Sequence, residues 1–137
     1  MSATHQPPVT DLLFVYGTLM QGFTNPYARQ LRRESRFVGL GHLPGHLYRV
    51  SWFPGAVPDP TAITLIHGEV YQLHNPTETL RVLDEYEDTA ADGSGIYIRK
   101  ALPVHVGDES LTCWIYTYNA STANLVPIEG GRFLLSD

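Results

Sequence analysis

The sequence predicts an α+β domain built on a curled or barrel-like mixed β-sheet with a few helices packed outside it. Two observations carry this. Segments with strand character outnumber helical ones, and only two places, Asn25-Pro26 and Asn75-Pro76, carry a clear helix start. The 137 residues, 43% of them hydrophobic, fit one domain large enough to bury a real core.

Residues 12–19, Leu-Leu-Phe-Val-Tyr-Gly-Thr-Leu, read as a central strand closed by glycine with no polar spacer. The backbone must turn sharply at Gly17 and Thr18. Such a strand end presents main-chain N–H groups and is a natural cradle for a carboxylate or an oxyanion, although an ordinary strand and turn read the same way. Residues 25–33 have helical character, with Asn25 and Pro26 at the cap and first-turn positions. Residues 36–50 alternate and are interrupted by glycines, which suggests one or two strands joined through Pro44 and Gly45. The segment Phe53-Pro-Gly-Ala-Val-Pro58 reads as a loop of fixed φ angles. Residues 62–73 read as strand. Asn75-Pro-Thr-Glu78 opens a helix with an N-cap, a proline at the first position and a carboxylate at the third. Two further strands, 97–106 and 111–118, flank the turn residues Gly107 and Asp108.

Composition narrows the function classes. The first ten residues are polar, contain Pro7 and Pro8 and lack the basic start and apolar run of a secretory signal, so they read as a flexible arm before a single domain over residues 11–137. Cys113 stands alone, which excludes an internal disulfide, fits a reducing, cytoplasmic compartment and reads as a buried structural cysteine. A net charge of −5 argues against a nucleic-acid surface. Arg29, Arg32 and Arg33 read as the solvated face of a helix, and no stretch has the length of a membrane span.

The helix from Asn75 carries the most informative anomaly. Advancing about 100° per residue puts Leu80, Val82, Leu83 and Tyr86 on one arc and Arg81, Asp84, Glu85 and Asp88 on the other. Glu87 lands between Leu83 and Leu80, four residues after one and seven after the other. An inward carboxylate near a helix C-terminus has its pKa pushed up by burial and by the macrodipole, which makes a usable proton shuttle. Periodicity equally allows the helix to fray so that Glu87 bends into water. Trp114, Tyr116 and Tyr118 share one strand face by their spacing and serve as core or as pocket wall.

Phe14-Val-Tyr-Gly-Thr-Leu19, Leu83-Asp-Glu-Tyr-Glu-Asp88 and Ser94-Gly-Ile-Tyr97, taken in order, resemble the γ-glutamylcyclotransferase superfamily, close to its small AIG2-like and bacterial YtfP-like branches. Phe53-Pro-Gly-Ala-Val-Pro58 and His67-Gly-Glu-Val-Tyr71 resemble the YtfP-like branch in particular. The resemblance implies an enzyme that cyclises a γ-glutamyl amide to 5-oxoproline, with Glu87 as the acid/base and the loop Tyr16, Gly17, Thr18 and Leu19 holding the γ-glutamyl group by its main chain. Tyr97 orients Glu87, lines the pocket or simply fills a sheet face. Where many members have a glycine after the glutamate and a short link to the tyrosine, this chain has Asp88 and then Thr-Ala-Ala-Asp-Gly before Ser94, a longer loop. The implied partner is a small γ-glutamyl compound, with no cofactor, no nucleic acid and no membrane, and a chain that is a monomer or a weak homodimer. A non-catalytic module that binds a small carboxylate on the same scaffold is the alternative reading.

Metal chemistry finds little support in the pattern. His42 and His46 are separated by Leu-Pro-Gly, which prevents the helical pairing of zinc sites, and His67 and His74 lack a companion cysteine or carboxylate pattern. No serine sits in a Gly-x-Ser-x-Gly setting.

Overall fold

The computed structural model describes residues 9–17, 19–20, 22–50, 53–86 and 96–133. Its elements run β1 (Leu12–Val15), α1 (Pro26–Arg33), β2 (Ser35–Arg49), β3 (Pro54–Pro58), β4 (Leu65–Leu73), α2 (Pro76–Tyr86), β5 (Tyr97–Val106), β6 (Glu109–Tyr118) and a two-residue β7 (Val126–Pro127), followed by a short 3-10 turn. The strands pair in the order β1-β4-β2-β3-β6-β5, and β1 also pairs with β6 in parallel, so the sheet closes on itself as a mixed barrel. This is the α+β architecture that the sequence predicts.

Alternation along β1 divides the core. Phe14 and Tyr16 face one cluster with Leu43, Leu47, Ala56, Ile66, Val70, Cys113 and Ile115, contributed by the inward faces of five strands. Leu13 and Val15 face the other, which holds Ala28 and Leu31 of α1, Leu80 and Leu83 of α2, and Tyr97 and Tyr116. Leu13, Phe14, Leu31 and Ile115 are fully buried. Burial of each such side chain contributes about 1.5–3 kcal/mol. Gly68 lets β4 lie close under β1, since a Cβ there would stand 2.2 Å from the Val15 carbonyl oxygen.

Both helix starts form as read. The Asn25 side chain accepts from the Ala28 N–H at 2.9 Å, and the Thr79 N–H reaches the Asn75 carbonyl at 3.0 Å. Residues 35–49 make one long strand, with Pro44 inside it and a register shift between Phe37 and Gly39. The Pro-rich segment is a correction: residues 54–58 are not a loop but β3, antiparallel to β2 from Gly45↔Pro58 to Arg49↔Pro54 and parallel to β6 at Ala56↔Thr117. Its prolines occupy the two ends of the strand, where a missing N–H interrupts the ladder least. Cys113 is buried with a free thiol that burial pushes up to about 12, as a structural cysteine should be.

Candidate active site at the end of the first strand

The turn after β1 is drawn tight by its own backbone. The Met20 N–H donates to the Gly17 carbonyl at 3.1 Å and the Phe23 N–H to the Met20 carbonyl at 3.0 Å. Gly17 lies directly against the first residue of β3, because a Cβ on it would come within 2.9 Å of Pro54 Cγ. Glycine permits that approach at no steric cost. The Pro54 carbonyl in turn accepts the buried Tyr97 hydroxyl at 2.6 Å. The ends of β1, β3 and β5 therefore meet at one place.

Tyr16 serves that meeting point from beneath. Its ring joins the barrel-interior cluster, while its hydroxyl donates to the Tyr116 carbonyl and accepts the Ala56 N–H at 3.2 Å. That hydroxyl ties β1 to β3 and β6. Leu19 turns the other way, into the helix-side cluster with Tyr97, Tyr116 and Leu83, with Tyr86 packed against it. The last turn of α2 and the turn after β1 so share one apolar layer. Tyr86 also stacks on Tyr27 of α1, with ring centroids 4.2 Å apart. Trp114 and Tyr118 pack on the same layer beside Tyr116, so their shared strand face looks toward the helices.

Tyr16, Gly17, Leu19 and Tyr97 are thus brought together. Thr18, Glu87 and the segment through Gly95 lie outside the described residues. Two charged residues do more than the sequence suggests. Asp84, expected on a solvated face, accepts Arg99 Nε at 2.8 Å, Arg99 Nη2 at 3.1 Å and the Tyr116 hydroxyl at 2.7 Å, binding α2 to β5 and β6. The Arg99 guanidinium also lies over the Trp114 ring, 4.3 Å from its centroid. Arg32, likewise expected in solvent, points its guanidinium at the turn, donating to the Phe23 carbonyl at 2.9 Å and to the Met20 carbonyl at 3.5 Å. One signal could have found both: each stands four residues after a buried side chain, Leu80 for Asp84 and Ala28 for Arg32.

The charges around this layer bias its polar groups. The Tyr71 hydroxyl donates to Glu69 at 2.9 Å, and burial and that carboxylate hold it far above the ordinary tyrosine range, while Arg32 pulls the other way. Glu69 sits opposite Val15, two residues before Gly17. Among the described residues, no group of three or more His, Cys, Asp or Glu side chains is arranged to hold a metal ion, and no helix is long and apolar enough to cross a membrane.

A closed mixed barrel with a glycine turn at one strand end, and two helices packed against it, defines a small α+β domain. Comparison with known proteins gives the class its family. The sequence model of the family described as gamma-glutamyl cyclotransferase, AIG2-like, matches residues 13–135, and the chain belongs to that family. Among solved structures, an AIG2-like protein from Mus musculus is similar at 26% identity and a TM-score of 0.68, over 87% of this chain and 86% of that one. The protein ytfP from Escherichia coli is similar at 29% identity and a TM-score of 0.53, over 90% of this chain and 96% of that one. YkqA from Bacillus subtilis shares the fold at 23% identity and a TM-score of 0.70, over 91% of this chain, which spans only 40% of that protein's chain. No curated protein matches the sequence.

Proposed function

We propose that the protein is a γ-glutamylcyclotransferase-like enzyme that converts a γ-glutamyl amide to 5-oxoproline and releases the amine or amino acid. The observation that supports the reading is the convergence of Gly17, Pro54 and Tyr97 beside the apolar layer that Leu83 and Tyr86 of α2 join. Family membership adds the reaction class.

The substrate holds its own nucleophile. Its α-amine nitrogen attacks the δ-carbonyl carbon, the new C–N bond closes a five-membered ring, and the amide C–N bond then breaks. The reaction itself calls for no water, metal or covalent enzyme intermediate. What the protein must supply is geometry, worth about 7–11 kcal/mol in the best intramolecular cases. Glu87 takes the proton from the attacking amine and returns it to the leaving nitrogen, so the carboxylate is restored after each turnover. Main-chain N–H groups of Gly17, Thr18 and Leu19 bind substrate oxygens, and the main chain of Tyr16 continues that cradle. Tyr97, whose hydroxyl is committed to Pro54, acts as a wall that fixes β3 against the turn. The enzyme works as a monomer or weak homodimer in the cytoplasm, a setting that agrees with its single buried thiol.

Incubation of the protein with a panel of γ-glutamyl amino acids, peptides and amines, with free 5-oxoproline measured by chromatography, tests the reading. Release from at least one compound is expected. Binding of such compounds without any release would instead mark a module that holds them and does no chemistry.

A further inference from the structure

We infer that Arg32 is a positioning residue that sets the shape of the γ-glutamyl-binding turn, an assignment that rests on the functional reading above. Arg32 lies on α1, outside the turn, yet its two terminal nitrogens reach two carbonyls of it, Met20 at 3.5 Å and Phe23 at 2.9 Å. Those carbonyls are not interchangeable. Met20 closes the turn that begins at Gly17, and Phe23 closes the next one on Met20. A guanidinium spans both because its donors form a fixed planar fork, whereas an ammonium is a single point that cannot reproduce the pair. The side chain is half-buried, so these charge-assisted bonds are partly shielded from water.

The guanidinium charge also acts on the hydroxyl of Tyr71, which is bonded to Glu69 on the strand beside β1. The α1 helix itself is fixed independently, by the Asn25 cap and by burial of Ala28 and Leu31. Arg32 therefore transmits the position of a rigid helix to a turn that the sheet leaves projecting beyond its last strand residue. By drawing the carbonyls of Met20 and Phe23 toward α1, it fixes the path of the chain that follows Gly17. A loosened turn would hold the substrate less well without altering the proton transfer, so its loss should appear in KM more than in kcat.

The test compares wild type with Arg32→Lys, Arg32→Ala and the exposed control Arg29→Ala on the best γ-glutamyl substrate. Expected are a KM raised roughly tenfold to hundredfold in Arg32→Lys, kcat within about twofold, and an unchanged control. Exogenous guanidinium chloride at low concentration should restore KM in Arg32→Ala, a rescue that a general loss of stability would not show. A wild-type KM in Arg32→Lys, or a loss confined to kcat with no rescue, overturns the assignment. Amide hydrogen exchange gives a reading that needs no activity: faster exchange at Gly17, Leu19 and Met20 in Arg32→Lys, with unchanged exchange in α1, is expected, and identical exchange overturns it. If wild type releases no 5-oxoproline but exchange responds, the anchoring stands and the functional reading falls. Should Arg32→Ala not fold, Arg32→Lys, which keeps the charge, carries both measurements.

Discussion

One hydroxyl holds three strands in register at the site. Tyr16 donates to Tyr116 and accepts from Ala56, so its removal leaves a buried carbonyl and a buried N–H without their partner at once. Tyr16→Phe should lower the unfolding free energy by about 1–3 kcal/mol in urea titration, with the fold kept. A variant as stable as wild type would show that water replaces the hydroxyl. His67 supplies the pH-dependent counterpart. Its imidazole pKa is lowered, by burial first and then by the charges of Arg132 and His42, and His42 stands in register between His67 and His105. The unfolded chain therefore takes up a proton before the folded one does. Stability is complete above the ordinary histidine pKa and is lost as pH falls toward the depressed folded value. His67→Gln should flatten the fall in melting temperature between about pH 7 and pH 5, and an unchanged slope would assign the effect to other groups.

Each element at the site is held by a tie to something distant in sequence. Asp84 anchors α2 through Arg99 and Tyr116, and the ion pair is about a quarter to a third exposed. Asp84→Asn keeps the shape but removes the charge, and should cost about 1–2 kcal/mol in thermal or urea unfolding. No change would mean that the apolar face of α2 suffices. These ties explain what the sequence revealed and what it hid. Both helix starts were legible at Asn25 and Asn75 because capping is a local matter of neighbouring residues. The closing strands were legible from alternation around Gly107 and Asp108. Strand β3 was not, because two prolines within five residues read as a breaker until the ladder on β2 is seen. Asp84 and Arg32 look solvated in the sequence because charge is a poor guide when the partners lie 15 to 32 and 9 to 12 residues away along the chain. The doubled role of Tyr16 spans 100 residues to Tyr116, beyond the reach of any local pattern.

At the scale of the whole molecule, barrel closure is what makes a site from these parts. The parallel pairing of β1 with β6 brings an N-terminal strand beside a C-terminal one, and β3 then lays Pro54 against Gly17. Two helices pack on the same layer, where Leu19 of the turn after β1 joins Leu83 and Tyr86 of α2. The γ-glutamylcyclotransferase-like reading requires that the Glu87 carboxylate move the proton. Glu87→Gln keeps the size of the side chain and abolishes its basicity. Steady-state release of 5-oxoproline by this variant should show kcat lowered by roughly 10² to 10⁴, with an unfolding curve superimposable on wild type. Cyclisation at the wild-type rate by the folded variant would contradict the account.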